Sequence, residues 1–232
     1  MKKQALFNGK VEVGISDISD GTMRYFGGEG ETEVIKRQEK LGELVGLTGD
    51  KVARVRTVYE GRDYYTEYGE VTEANVSEYS VRNMEKQILV SDGLVTRCKD
   101  VGILLPLADC LGAVVFDEKQ EIVGLLHAGR HNIEQYGPKK FIEYMVNEFG
   151  SDAGGLKIFF SPCAQNYRID ELGGEKLSVA AVRQFVDAGV LAENIINEGI
   201  DTVTDERYPS CSAGDAVNRF AVVVRMEIDV PI

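Results

Sequence analysis

Apolar and polar residues alternate along this chain with two different periods. Val34, Ile35, Gln38, Leu41, Leu44 and Val45 recur at helical spacing, so residues 32–46 are expected to form a helix with Thr32 as its N-cap. In residues 51–59, Ala53, Val55, Thr57 and Tyr59 alternate with Arg54 and Arg56, the pattern of a strand. Residues 86–97 and 100–107 read as further strands, the second almost wholly apolar and so expected to be buried on both faces. The runs 111–116 and 122–126 flank the charged connection 117–120, a hairpin signal. A helix is expected at 138–149, with Phe141, Ile142, Met145, Val146 and Phe149 inward, Pro138 in its first turn and Gly150 at its end. A short strand at 156–160, a helix at 173–188 and a strand at 219–228 complete the series. The patch from Gly27 to Gly30 reads as a loop. Strands and helices interleave, and the hairpin excludes a purely parallel sheet. The expected fold is α+β (mixed α/β), one domain over residues 1–232 with mixed β-sheets covered by helices.

Composition narrows the classes. Acidic residues outnumber basic ones and the formal charge is −12, which disfavours nucleic acid and anionic membrane surfaces as partners. The longest apolar stretch, residues 101–116, is interrupted by Pro106 and Asp109 and falls short of a membrane span. The N-terminal apolar run is too short for a signal-peptide core. Four Cys (98, 110, 163 and 211), none in a C-x-x-C pair, form neither a disulfide framework nor a zinc knuckle. A cytoplasmic protein with reduced thiols is expected.

The hairpin brings chemistry together. With 117–120 as its loop, Phe116 faces Glu121, and counting back along both strands sets Cys110 opposite His127. Their Cβ atoms would then lie about 5 Å apart on one face. A thiol beside an imidazole can form a thiolate–imidazolium nucleophile, or the two can be soft ligands of a zinc ion. A slip of one residue would place them on opposite faces. Asp109 precedes the thiol and is a catalytic candidate with Cys110 and His127. Arg130, His131 and Asn132 follow the strand, where sites are commonly built, and both histidines of the chain lie within this stretch.

Ser91-Asp92-Gly93-Leu94-Val95-Thr96, Leu107-Ala108-Asp109-Cys110 and Val123-Gly124-Leu125-Leu126-His127-Ala128-Gly129 resemble the core of the laccase-domain family, whose members are viewed as zinc-dependent purine nucleoside phosphorylases. Thr22-Met23-Arg24, Ser161-Pro162-Cys163-Ala164 with Tyr167, and Asn218-Arg219-Phe220-Ala221 extend the resemblance across the chain. It implies that Cys110 and His127 are two of three zinc ligands. The third, a His in the family, is replaced here by Tyr59, which leaves Tyr59, His131 or a water for that position. The family's Trp-Arg-Gly after the His becomes Arg130-His131-Asn132, and its Arg-Arg pair becomes Ser212-Ala213. Arg24, Arg130 and His131 are then the candidates to hold phosphate.

Three readings follow from that resemblance. One is a zinc-dependent phosphorylase or deaminase of nucleosides, with nucleoside and phosphate as small-molecule partners. Another is a metal-free Cys–His hydrolase, since the family's fold is similar to the deamidating domain of cytotoxic necrotizing factor. The last is a decayed binding protein. In a decayed site Tyr59 would fill the pocket and bond its hydroxyl to His127 or Cys110; in a live one a cavity would open beside them. No copper is expected, because two His cannot furnish a multicopper centre.

Overall fold

The computed structural model describes residues 1–24, 30–82 and 90–227. Two sheets stack face to face, with helices outside each. The first sheet contains β1 (Lys2–Leu6), β2 (Val11–Ile15), β3 (Val52–Arg54), β6 (Gly102–Leu107) and β13 (Phe220–Met226), in the order β1-β2-β13-β6-β3. The second contains β4 (Tyr68–Glu70), β5 (Gly93–Thr96), β7 (Leu111–Asp117), β8 (Ile122–Ala128), β9 (Lys157–Phe160) and β12 (Ile195–Asn197), in the order β12-β9-β7-β8-β5-β4. Both sheets mix parallel and antiparallel pairs. A two-stranded ribbon pairs β10 (Arg168–Ile169) with β11 (Glu175–Lys176). The helices are α1 (Glu31–Leu44), α2 (Val76–Tyr79), α3 (Arg130–Glu134), α4 (Gly137–Phe149) and α5 (Leu177–Asp187).

The two-residue period of the strands divides the core into three layers. Leu105, Val222 and Val224 of the first sheet meet Leu94, Val114, Leu125 and Phe159 of the second between the sheets. Their neighbours point outward: Leu104, Ala221 and Val223 pack on Leu41 of α1. Val115, Leu126, Ile158 and Phe160 pack on Phe141 and Met145 of α4 and Phe185 of α5. This explains why strands 100–107 and 111–116 read as continuously apolar. Among the described residues, no helix is long and apolar enough to cross a membrane.

Several sequence expectations need correction. The strand expected at 51–59 ends at Arg54; Val55 adds one more bond, to the Leu104 carbonyl, and the chain then leaves this sheet. The strand expected at 86–97 is seen as Gly93–Thr96, and residues 83–89 lie outside the described residues, as do 27–29 of the glycine patch and Ile228 of the last strand. Gly30, not Thr32, caps α1. The helix expected from 173 starts at Leu177, because Gly173 and Gly174 adopt left-handed φ of 66° and 79°. Val146 faces outward from α4.

The hairpin register also differs. Asp117 stays in the ladder opposite Ile122, and its carboxylate accepts the Lys119 and Gln120 amides at 2.9 and 3.0 Å. The connection is therefore 118–121, with Glu121 in the left-handed region. Gly112, not Cys110, faces His127. The slip is two positions, so parity is kept and Cys110 remains on the face of His127.

Candidate active site

Cys110 sits on the turn that joins β6 to β7. Asp109 holds that turn in a left-handed conformation, φ 70°. Its carboxylate accepts the Thr202 hydroxyl at 2.9 Å and the Ser212 amide at 2.6 Å, while its carbonyl accepts the Ala164 amide at 2.8 Å. With both carboxylate oxygens engaged, Asp109 is a brace that ties three segments together beneath the thiol, rather than a free acid or base.

His127 lies on β8, almost wholly buried, with its amide bonded to the Asp92 carbonyl at 2.8 Å. The point where a Cβ on Gly129 would sit is 3.0 Å from the Cys110 Sγ and 3.2 Å from the His127 Nε2, so the two heads share one small space. Burial, with the neighbouring Asp109 carboxylate, pushes the Cys110 thiol up to about 12. Burial, with the charge of His131, pushes His127 down to about 4. At neutral pH the pair is therefore an uncharged thiol and an uncharged imidazole. Burial disfavours the charged form of each group, which works against a thiolate–imidazolium pair.

A loop over residues 55–67 brings Tyr59 to this pair. Its hydroxyl lies 3.4 Å from the His127 Nε2. Half of the Tyr59 residue is exposed, yet burial of its hydroxyl end raises the phenol well above its usual range. The loop is fastened by side chains. Arg62 donates to the buried Asp92 at 2.9 Å and to the Val58 carbonyl at 3.2 Å. Asn132 donates to the Tyr65 carbonyl at 2.6 Å, and Gln135 bonds the Tyr65 amide and the Asp63 carbonyl.

The other predicted residues divide. His131 stacks on Tyr65, ring centroids 4.9 Å apart, and its nitrogens meet Glu134 and Arg130, both at 3.2 Å. It is committed to α3 and its loop contact, not to the Cys110–His127 pair. Arg130 lines the cavity but also pairs with Glu134. Arg24 donates to the Ala216 carbonyl at 2.7 Å. The family resemblance implies zinc, and the donors present do not complete a site for it. Among the described residues no three His, Cys, Asp or Glu side chains converge, and the third neighbour of Cys110 and His127 is a phenol that burial keeps protonated.

Beside the pair opens a cavity of about 300 Å³, walled by Tyr59, Pro106, Leu107, Tyr167, Leu177 and Cys211 among others. The Tyr59 hydroxyl meets His127, as expected of a decayed site, but Tyr59 does not fill the pocket, and the cavity expected of a live site remains beside the pair. Arg219 also lines this cavity and was not among the sequence candidates. The one signal for it was the Asn218-Arg219-Phe220-Ala221 segment, whose likeness to the family pointed to a strand and not to a site.

Comparison with known proteins agrees with this architecture. Solved structures of bacterial proteins superpose on 94% of this chain. The YlmD protein of Geobacillus stearothermophilus matches with a TM-score of 0.82 at 15% identity, over 94% of this chain and 92% of that one. The hypothetical protein YfiH of Bacillus licheniformis gives 0.78 at 16%, over 94% and 93%. These likenesses establish the mixed α+β fold. A purine nucleoside phosphorylase of Campylobacter jejuni is 26% identical over 155 residues, 60% of this chain and 68% of that protein. One from Borreliella burgdorferi is 27% identical over 105 residues, 44% of this chain and 45% of that protein, so the chain spans less than half of the latter's length. The profile of the family described as multi-copper polyphenol oxidoreductase laccase matches residues 23–178, the stretch that carries Tyr59, Cys110 and His127, and the chain belongs to that family.

Proposed function

We propose that the cavity binds a purine nucleoside and that the protein cleaves its N-glycosidic bond, as the names of its curated relatives suggest. The observation that carries this reading is the cavity whose lining gathers Tyr59, Cys110 and His127 with the apolar Pro106, Leu107 and Leu177. A volume of about 300 Å³ suits one small aromatic ligand. A flat base needs apolar walls and a few fixed hydrogen-bonding groups, and an uncharged donor–acceptor pair supplies these without desolvating an ion. When the bond between the sugar C1′ and the base nitrogen breaks, its electron pair moves to the base, an oxygen of water or phosphate bonds to C1′ in its place, and the proton that this nucleophile gives up ends on the base. The Tyr59 hydroxyl, held against His127, is placed to donate a hydrogen bond to that developing charge. No step in this reading passes through a metal.

The test is incubation of the full chain with inosine, adenosine and guanosine, with and without phosphate, reading free base by chromatography. Base release that falls about 100-fold or more in Cys110→Ala and His127→Asn supports the reading. The contact between Tyr59 and His127 favours a second reading, a nucleoside-binding protein without turnover. Saturable nucleoside binding with no base released would select it, and no binding at all would overturn both.

A further inference from the structure

Three of the four cysteines gather around one residue. Asp109 precedes Cys110. Its carbonyl accepts the amide of Ala164, beside Cys163, at 2.8 Å, and its carboxylate accepts the amide of Ser212, beside Cys211, at 2.6 Å. Cys163 is fully buried, whereas Cys110 and Cys211 both line the cavity. Cys211 has no part in the bond cleavage proposed above.

The two cavity thiols are held differently. Cys110 is partly buried at the foot of β7, and burial pushes its thiol up to about 12. Cys211 is exposed. It sits on a turn closed by three bonds: the Ala213 amide to the Ser210 hydroxyl at 3.1 Å, the Gly214 amide to the Cys211 carbonyl at 3.1 Å, and the Asp215 amide to the Ser210 carbonyl at 2.9 Å. Ser210 is buried and anchors that turn. The charge of Cys211 is felt at Cys110, so the two sulfurs are near neighbours across the cavity. A disulfide needs Cα atoms within about 7 Å. No helix or strand lies between Asn197 and Phe220, so any adjustment that such a bond requires falls on the turn and not on the sheet.

We infer that Cys211 and Cys110 form a peroxide-reactive pair, in which a hydroperoxide oxidises Cys211 and Cys110 resolves the product as a disulfide across the cavity. First the Cys211 sulfur attacks the terminal oxygen of the hydroperoxide. The S–O bond forms, the O–O bond breaks, and the thiol proton leaves on the other oxygen as an alcohol, or as water when the oxidant is hydrogen peroxide. Cys211 is now a sulfenic acid, oxidised by the two electrons that the peroxide gains. Then the Cys110 sulfur attacks the Cys211 sulfur. The S–S bond forms, the S–O bond breaks, and the hydroxide leaves with the Cys110 proton as water. Exposure sets this order, because a buried, protonated thiol meets peroxide slowly. Cys110 still resolves the product, because the sulfenic acid is presented to it within one cavity. The bond joins two walls and consumes the thiol beside His127, so oxidation closes the cavity whatever ligand it takes. In a reducing compartment such a bond is transient, as in redox sensors.

Mass spectrometry of the reduced full chain after treatment with hydrogen peroxide tests this. The expected result is a linked pair of peptides carrying Cys110 and Cys211, a fall in free thiols from four to two, and reversal by dithiothreitol. Dimedone, which traps sulfenic acids, should label Cys211 in Cys110→Ala and scarcely label the unaltered protein. In Cys211→Ser, loss of the Cys110 thiol to peroxide should slow about tenfold or more. Melting curves check that both variants are folded, and the mapping of the linked peptides needs no variant. Linkage of Cys163 to either thiol, links only between chains, or a Cys211 sulfenic acid that persists in the unaltered protein overturns the pair. So does a Cys211 that stays reduced under peroxide, or a Cys110 thiol lost as fast in folded Cys211→Ser as in the unaltered protein.

Discussion

The two sides of the candidate site are built differently. Cys110 and His127 stand at the open end of the β7–β8 hairpin, inside a sheet whose side chains are buried on both faces. Tyr59 stands on a loop that has no strand or helix between Arg54 and Tyr68 and is fixed by Arg62, Asn132 and Gln135. The hairpin is held by packing, which is spread over many contacts. The loop is held by a few directional bonds. Losing one packing residue on the hairpin side therefore threatens the whole fold, whereas losing one fastening on the loop side releases the site alone.

That contrast can be broken most forcefully at Phe159, which is fully buried between the sheets on the strand next to β7. Phe159→Ala is expected to cost about 3–5 kcal/mol in global stability, measured by denaturant unfolding. A loss confined to the 55–67 loop would contradict the division.

Next in size is the effect of pH on the hairpin side. The His127 value is lowered in the fold, from 6.5 to about 4. Between those values the unfolded chain binds the proton and the folded one does not, so stability falls as pH drops from 6.5 toward 4 and levels below that. The full loss is about 3 kcal/mol. The slope should be shallower over this window in His127→Asn than in the unaltered protein; identical slopes would show that His127 is not held neutral.

Asn132→Ala tests the other side. It removes the bond to the Tyr65 carbonyl and should cost about 1–3 kcal/mol. Amide exchange is expected to quicken in the 55–67 loop while β7 and β8 stay protected. Equal quickening in the hairpin would mean that loop and sheet open together.

The smallest effect on stability, yet the sharpest on chemistry, concerns Cys110. With its thiol pushed up to about 12, alkylation by iodoacetamide should be slow at neutral pH. Its rate should still climb tenfold per pH unit between about 8 and 10, where an ordinary thiol levels off. A plateau at or below pH 9 would show a more polar cavity.

The same contrast governs what was legible in the sequence. The apolar runs 111–116 and 122–126 on either side of a charged connection revealed the hairpin, and the two-residue period of its strands set Cys110 and His127 on one face. It missed the register, because that was set by two hydrogen bonds to the Asp117 carboxylate. Alternation misled at 51–59, where Thr57 and Tyr59 follow the strand pattern but face the cavity from a loop. Asp109 was found by its place beside the thiol, but its bracing role depends on Thr202 and Ser212, which are distant in the chain. Arg219 escaped for the same reason: only the fold brings it to the cavity. Long-range polar contacts leave no periodic trace.

Gly129 has a consequence for how this protein could change. Its φ of −83° is one that alanine adopts freely, so the backbone would accept a methyl group there. The space would not, since that methyl would lie 2.7 Å from the His127 Cε1 and 3.0 Å from the Cys110 Sγ. Glycine and alanine codons differ by a single base. One point mutation could thus plug the meeting place of thiol and imidazole from within, without disturbing the backbone around it.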